Sequence, residues 1–537
     1  MSLLIVYDGT INIKEHADYS YSLNSGQVKN IVSLNSSKKL NDIALKLRDE
    51  YCNYIYEINK YYLENNLTYK DKISLYFLSD LSNKRTELFK TFSTICHLDF
   101  LYHCIKKNNI SKVKFINCHK NFINSFKSKI DIPIDEINSK NYKKNKNYFL
   151  RQIFFFTKSL IIFSFLKIFI KNLVPKKIKN IFLSRFPLHF DKSFNEDKYG
   201  FLVQASDYFI VSILTDGMHQ NLSFFDSIKA ILKLKKSSKG KNVILLDKEV
   251  GIIDVFKNFL YGIYIYYCFK KLYKKIYIFK GIDISEYVYE ELDVSVLRIP
   301  RLTLYKNALK KICKNTTIDN FYYHLHEYSY GRFISFVLNK YFPDINRIGF
   351  QHGPASMRKL IYFLSKNEVN YSSKNYKYFL PMPNIILAED QQSASVYREG
   401  NYKNIQVMKN IPRLAYLENI KRNNVEKNSI LVACGLHDCN NIFDFIKDEI
   451  KNNQHKKYYF KLHPRSNNKL IYKKINESGL MNIEISNDNI IKYLLKVEEV
   501  VFTYSSVGQE AHKLGIKTRI ILLPGEINES PMLDSFY

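Results

Sequence analysis

Two short segments near the C-terminal end of the chain carry residue types that can hold a phosphate. Lys461-Leu462-His463-Pro464-Arg465 follows the apolar run Tyr458-Tyr459-Phe460, and Thr503-Tyr504-Ser505-Ser506 follows Val500-Val501-Phe502. Such runs read as buried strands of a parallel α/β sheet, whose loops meet at one edge where ligands bind. The pattern predicts an imidazole and a pair of hydroxyls side by side at that edge. A helix is predicted over 507–514, so both serines stand at its start, where backbone N–H groups and the helix dipole favour an anion. Pro464 holds its neighbour extended. His463 is therefore expected to point outward and stabilise charge on a departing phosphate. The competing reading is a histidine packed beside its proline in a turn. Glu510, one helical turn past Ser506, either accepts from a ribose or only complements the helix dipole.

A second set lies earlier in the chain. Glu327 follows the run 321–325, and His352 follows Arg347-Ile348-Gly349-Phe350, with a predicted helix over 332–341 between them. Consecutive parallel strands with a right-handed crossover bring both to one sheet edge. There a carboxylate and an imidazole can share acid–base work on a hydroxyl. The alternative for His352 is a turn formed with Gly353-Pro354. Asp216, in Thr215-Asp216-Gly217, is a rival carboxylate, although Asp-Gly after a strand is an ordinary turn. Arg185, Arg413 and Arg465 each follow a strand-like run. Each either grips a phosphate or sugar carboxylate through its guanidinium fork or forms a surface ion pair. Gly349 and Gly353 allow backbone to approach a ligand closely.

The elements that must position these residues alternate along the chain. Residues 1–129 show strand, helix and strand signals at 1–8, 72–78, 87–106 and 113–116. The same rhythm resumes at 179 with strands expected at 181–183, 209–214, 243–246, 277–279, 321–325 and 347–350. It continues at 385–387 and 429–432. The expected architecture is α/β: a Rossmann-like domain over 1–382 and a second over 383–537, facing each other across a cleft.

The formal charge of +30 points to an anionic partner: nucleic acid, a membrane face or acidic small molecules. No nucleic-acid recognition module is visible, so a nucleic-acid-binding role is the remote alternative. The eight cysteines show no pairing or finger spacing, and a cytoplasmic protein is expected. Cys96-His97 and His103-Cys104 lie among apolar residues that read as a core helix face rather than metal ligands. The basic apolar segment 149–177 carries Lys158, Lys167 and Lys171, too many charges for a comfortable bilayer span. It reads either as an amphipathic helix on an anionic inner-membrane surface or as a buried helix between domains. The aromatic and lysine-rich stretch 256–275 suits a membrane interface or a solvated helix end.

At these motifs the chain resembles bacterial surface-carbohydrate glycosyltransferases of the GT-B fold. Lys461-Leu462-His463-Pro464-Arg465 and Ser505-Ser506 look like the HP and serine motifs of sialyl- and polysialyltransferases. Ile348-Gly349-Phe350-Gln351-His352-Gly353 looks like the QHG stretch of capsule and Kdo transferases. The spacing from Ile411-Pro412-Arg413 to His463 and Ser505 also resembles teichoic-acid glycerophosphotransferases. The resemblance covers 323–521. It implies an inverting transferase that moves an acidic sugar from a CMP-activated donor, with no cofactor or metal, onto a lipid-linked or oligosaccharide acceptor of the lipopolysaccharide or capsule. A CDP-polyol phosphotransferase is the alternative. By this resemblance His463, Ser505 and Ser506 hold the donor phosphate; Pro464, Arg465, Glu510 and Arg413 are expected beside the donor, and Gln351, Gly353 and Arg185 beside the acceptor. His352 joins in acid–base work, and the base is Glu327 ahead of Asp216. The family's acidic-acidic-glycine motif is broken, since Thr215-Asp216-Gly217 has one acid and Glu327 lacks the glycine.

Overall fold

Strands buried on both faces need apolar side chains on both, and the runs that carry them become the centres of sheets. Leu4-Ile5-Val6 and Leu431-Val432-Ala433 are buried on both faces. The structure is a computed structural model. It describes every residue except 1, 10, 12–15, 25, 27, 29–30, 71, 142–146, 192, 213–223, 238–240, 352, 419, 423, 464–465, 467–468, 487 and 535–537.

The first unit contributes β1 (Leu3–Tyr7), β2 (Tyr19–Ser22), β3 (Val32–Ser33), the small pair β4 (Thr68–Tyr69) and β5 (Ile73–Ser74), β6 (Lys112–Ile116) and β7 (Ile134–Ile137). The middle unit contributes β8 (Lys177–Arg185), β9 (Tyr208–Ser212), β10 (Val243–Leu245), the hairpin β11 (Ile278–Phe279) with β12 (Ile282–Asp283), β13 (Thr317–His324), β14 (Asn346–Phe350), β15 (Ile385–Ala388) and β16 (Ile405–Val407). The last unit holds β17 (Ser429–Ala433), β18 (Lys457–Lys461), β19 (Ile483–Ser486), β20 (Glu499–Phe502) and β21 (Lys517–Ile520).

Among the described residues these strands build three large sheets, ordered β3-β2-β1-β6-β7, β10-β9-β8-β13-β14-β15-β16 and β19-β18-β17-β20-β21. Neighbouring strands in all three run parallel. Each sheet starts at its middle, winds outward to one side, then crosses back and winds to the other, which is the doubly wound α/β plan.

The α/β architecture matches the expectation, with two differences in how it is divided. The region 1–382 holds two sheets rather than one, because β1 and β6 pair with each other and not with β8. The expected boundary at 383 falls inside the middle unit: β15 and β16 extend its sheet through Ile348↔Ile385 and Ile386↔Ile405. The sheet break comes between β16 and β17. One hydrophobic core runs from Leu4 to Tyr402, whereas the last unit buries its own clusters from Ile430 onward. At 72–78 the expected strand shrinks to β5 followed by a buried 3₁₀ turn, Leu75–Leu78. Residues 277–279 join a hairpin instead of a large sheet. The cysteine–histidine cluster sits on the helix Thr91–Lys107, with Cys96 and His97 buried, as a core face requires.

The basic apolar segment forms the helix Tyr148–Phe169, which combines features of both expected readings. Tyr148, Gln152, Phe155, Ser159, Ile162 and Leu166 face inward at helical spacing. The helix packs on Ile252–Phe269, where the Tyr148 hydroxyl donates to the Gly262 carbonyl at 2.8 Å and Phe156 meets Phe259 edge-on. Its opposite face stays exposed, with Phe154 at 72% and Ile168 at 75%. By length and composition it is long and apolar enough to cross a bilayer.

The three units are strapped together by the C-terminal segment. The Asn528 N–H donates to Asn41 Oδ1 at 2.8 Å, Thr86 donates to Glu529, and Asp534 accepts from Arg358 and from the Met357 N–H.

Candidate functional site

In a doubly wound sheet the two central strands send their connections in opposite directions, leaving a crevice at their carboxyl ends. The crevices here lie between β1 and β6, between β8 and β13, and between β17 and β20. All three open on one cavity of about 920 Å³. The first sheet lines it with Asp8 and His119, the middle sheet with Arg185, His189 and His324, and the last with His437, Asp438 and Tyr504. Arg85, Glu87, Lys90 and His97 close one side, and Glu526 and Glu529 of the C-terminal strap close another.

The middle crevice holds the densest polar network. Burial pushes the Glu196 carboxyl up to about 7. Glu196 Oε1 accepts from the Ser184 hydroxyl at 2.8 Å, and Oε2 accepts from the backbone N–H groups of Lys198 and Tyr199 at 2.9 and 2.8 Å. His189 places Nδ1 3.3 Å from Ser184 Oγ and 4.0 Å from Glu196 Oε1. The rings of His189 and His324 lie 4.9 Å apart, and the Tyr199 hydroxyl lies 3.2 Å from His324 Nδ1. Arg185, at the end of β8, is 4% exposed. Its guanidinium stands over the Tyr330 ring at 5.3 Å, and its Nε is buried without a hydrogen-bond partner.

At the last crevice the loop after β17 passes close to Tyr504. A Cβ on Gly435 would lie 2.7 Å from the Tyr504 ring, so a side chain there would have to displace that ring. Thr503 donates to the buried Asp438, whose carboxyl is raised by burial. Burial likewise raises Glu526, and Glu529 to about 7. For Glu87 burial acts upward, but the neighbouring Arg85 and Lys359 bring it below the usual carboxylate range.

The residues singled out from the sequence distribute differently. His463 follows β18 and is half-buried, and its carbonyl accepts from the Ser466 N–H and hydroxyl at 2.9 and 2.7 Å. Ser505 and Ser506 follow β20 and are half-buried. Ser506 is the N-cap of the helix Val507–Lys513, without a side-chain capping bond. The loops after β18 and β20 share one sheet edge with β17 between them. At that edge the cavity is lined by Leu436, His437, Asp438 and Tyr504 and not by His463, Ser505 or Ser506. Pro464, Arg465, His352 and Asp216 lie outside the described residues.

Glu327 is turned away from the cavity that its neighbours Leu325 and Tyr328 line. It is buried, accepts from the Tyr397 hydroxyl, and lies 3.4 Å from His326 Nε2. Gln351 is fully buried and satisfied. It donates to the Gly353 carbonyl at 2.8 Å and to Ser393 Oγ at 3.1 Å, and it accepts from the Glu389 N–H at 2.9 Å. Gly353 adopts a left-handed conformation at φ +93°. Arg413 clamps Glu389 with two bonds of 2.7 and 2.8 Å and reaches Gln509 at 2.6 Å. Tyr416 donates to Glu510 at 2.6 Å. Gln351 and Arg413 thus meet through Glu389, and Arg413 reaches Gln509 beside the Tyr416–Glu510 pair, in a polar seam that ties the middle unit to the last.

Of the residues chosen from the sequence, Arg185 alone lines the cavity among those described. Sequence reasoning missed His189, Glu196, His324, His437 and Asp438. Each lies in or beside a loop after a strand that was located, so the signal available was a histidine or acid following the apolar run. Among the described residues no group of three or more His, Cys, Asp or Glu side chains is arranged to hold a metal ion.

No family model matches the chain, and no curated protein matches it. Among solved structures it is similar to a UDP-GlcNAc 2-epimerase from Neisseria meningitidis, at 12% identity and TM-score 0.33 over 64% of this chain and 82% of that one. It is also similar to the wall teichoic acid polymerase TagF, at 12% identity and TM-score 0.29 over 70% and 79%. A third is UGT2 of Phytolacca americana, at 10% identity and TM-score 0.35 over 68% and 84%. None of these likenesses assigns a residue.

Proposed function

We propose that the chain is a transferase of GT-B type that moves a group from a nucleotide-activated donor to a hydroxyl-bearing acceptor. The observation that carries this reading is the convergence of three switch-point crevices on one large cavity with charged and histidine side chains on its wall, the place where α/β sheets bind ligands. The favoured chemistry is inverting transfer of an acidic sugar from a CMP-linked donor to a surface glycan. A CDP-linked polyol donor is the competing chemistry.

In this reading the donor lies toward the last sheet, and its proposed phosphate contacts are His463, Ser505 and Ser506, which stand at the same sheet edge beside the cavity rather than on its wall. The proposed base is His189, oriented by Ser184 and Glu196, in place of Glu327. The acceptor O–H bond breaks and its proton passes to the His189 imidazole. The oxygen then bonds to the anomeric carbon, and the bond from that carbon to the nucleotide phosphate breaks, its electron pair leaving with the nucleotide. Such a base contributes about 10²–10⁴ in rate.

The experiment is a panel of CMP-, CDP- and UDP-linked donors scored by thermal stabilisation, since a ligand of the native state raises its melting point. Product mass then separates sugar transfer from polyol-phosphate transfer. Stabilisation by CMP- or CDP-linked donors is expected, and none by any donor would remove the reading. His463→Ala is expected to lower turnover by about 10² or more. An unchanged rate would exclude His463 from the mechanism.

A further inference from the structure

We propose that the crevice between β8 and β13 is a binding site for an anionic group of the acceptor, a phosphate or carboxylate held by the Arg185 guanidinium. The site itself rests on geometry, and the identification of its occupant as the acceptor rests on the transferase reading.

The other arginines that line this cavity are matched. Arg85 pairs with Glu87 at 2.8 Å, Arg298 with Asp80, and Arg358 with Asp534. Arg185 differs. No carboxylate among the described residues pairs with it, although it is almost fully buried and its Nε makes no hydrogen bond. Taking a guanidinium out of water without a counter-charge is unfavourable. A fold keeps such a group when a ligand supplies the missing anion. Of the next two acids in the chain after Arg185, Asp191 is bonded to Ser193 and Asn195, and Glu196 is committed to Ser184 and two backbone N–H groups.

The setting fits a second substrate. Arg185 and His189 lie four residues apart on the loop leaving β8, both on the cavity wall. A guanidinium fork takes phosphate or carboxylate through two parallel bonds, which fixes orientation as well as affinity. An anion held there would bring a hydroxyl of the same molecule to the His189 imidazole. Arg185 belongs to the middle sheet and the proposed donor contacts to the last, so donor and acceptor anions have separate holders.

The test is calorimetric titration of the wild type, Arg185→Met and Arg185→Lys with glycerol 3-phosphate, glucuronate, glycerol, CMP and CDP, alongside melting curves. The wild type is expected to bind glycerol 3-phosphate or glucuronate but not glycerol. Which of the two binds distinguishes a phosphate from a carboxylate. Arg185→Met should weaken that binding at least ~10-fold, with Arg185→Lys intermediate because it keeps charge without the fork. Arg185→Met should also melt at or above the wild type, since it removes an unmatched buried charge. The proposal falls if Arg185→Met binds the anion as the wild type does, if neither anion binds the wild type, or if Arg185→Met melts well below it. Loss of CMP or CDP affinity in step with the small anion would assign the anion to the donor and overturn the acceptor role. Arg185-dependent anion binding with no nucleotide binding would leave the site standing and remove the transferase reading instead.

Discussion

Glu196 sits where burial works against its charge, and that fixes the sign of its effect on the fold. The free carboxyl has a reference value of 4.5, and in the fold burial pushes it up to about 7. Folding therefore favours the protonated form. Its contribution to stability is full below about pH 4.5 and is lost as pH rises through about 7. Glu196→Gln mimics the protonated acid, so the wild type should lose melting temperature relative to this variant between about pH 5 and pH 8. Parallel melting curves would show a carboxylate that is ionised throughout. The proposed reaction asks for the opposite charge state, because an ionised Glu196 would stabilise a protonated His189. His189→Gln should accordingly leave donor-induced thermal stabilisation intact and lower turnover by about 10² or more. Donor binding and turnover falling together would instead mark His189 as part of the donor pocket.

At the scale of elements, Arg413 separates two roles that the sequence left open. Its clamp on Glu389, itself held to Gln351 through its N–H, and its reach to Gln509 make it a tie between β15 and the helix Val507–Lys513. Arg413→Ala leaves the buried Glu389 carboxylate without its partner and should cost about 2 kcal/mol in urea unfolding. A stable variant with weakened nucleotide affinity would return Arg413 to donor binding. The central strands of all three sheets were legible because both their faces are apolar. β7, reading Ile-Asp-Glu-Ile, and β21, reading Lys-Thr-Arg-Ile, were not legible, because sheet edges carry charge that blocks further pairing. β16 is short and only partly buried, and the boundary was expected at 383 because the run 385–387 was placed in the second unit, whereas β15 pairs with β14. The loops that meet ligands followed from strand ends, but which residue of each loop turns into the cavity depends on backbone paths. Glu327 and His324 lie three residues apart and face different surroundings.

For the whole molecule, two apolar helices and the charge of +30 together motivate a test of membrane association. Tyr148–Phe169 and Ile252–Phe269 pack on each other and on the core, and both keep apolar stripes outside: Phe154, Ile161 and Ile168 on one, Ile253, Phe256, Leu260 and Tyr264 on the other. Exposed Lys167, Lys171, Lys257, Lys270, Lys271 and Lys274 flank them. Large aromatics beside lysines suit the boundary between headgroups and acyl chains of an anionic bilayer, where each buried phenylalanine contributes about 1.5–3 kcal/mol. Basic residues near such a surface add about 1 kcal/mol each and are screened by salt. The protein should therefore sediment with phosphatidylglycerol vesicles, less with phosphatidylcholine vesicles, and less again at high salt. Phe154→Ser combined with Phe256→Ser changes only exposed positions, so it should weaken vesicle binding while leaving the melting temperature near the wild-type value. Equal sedimentation of the double variant, or no preference for anionic vesicles, would mean that these stripes meet something other than an anionic membrane.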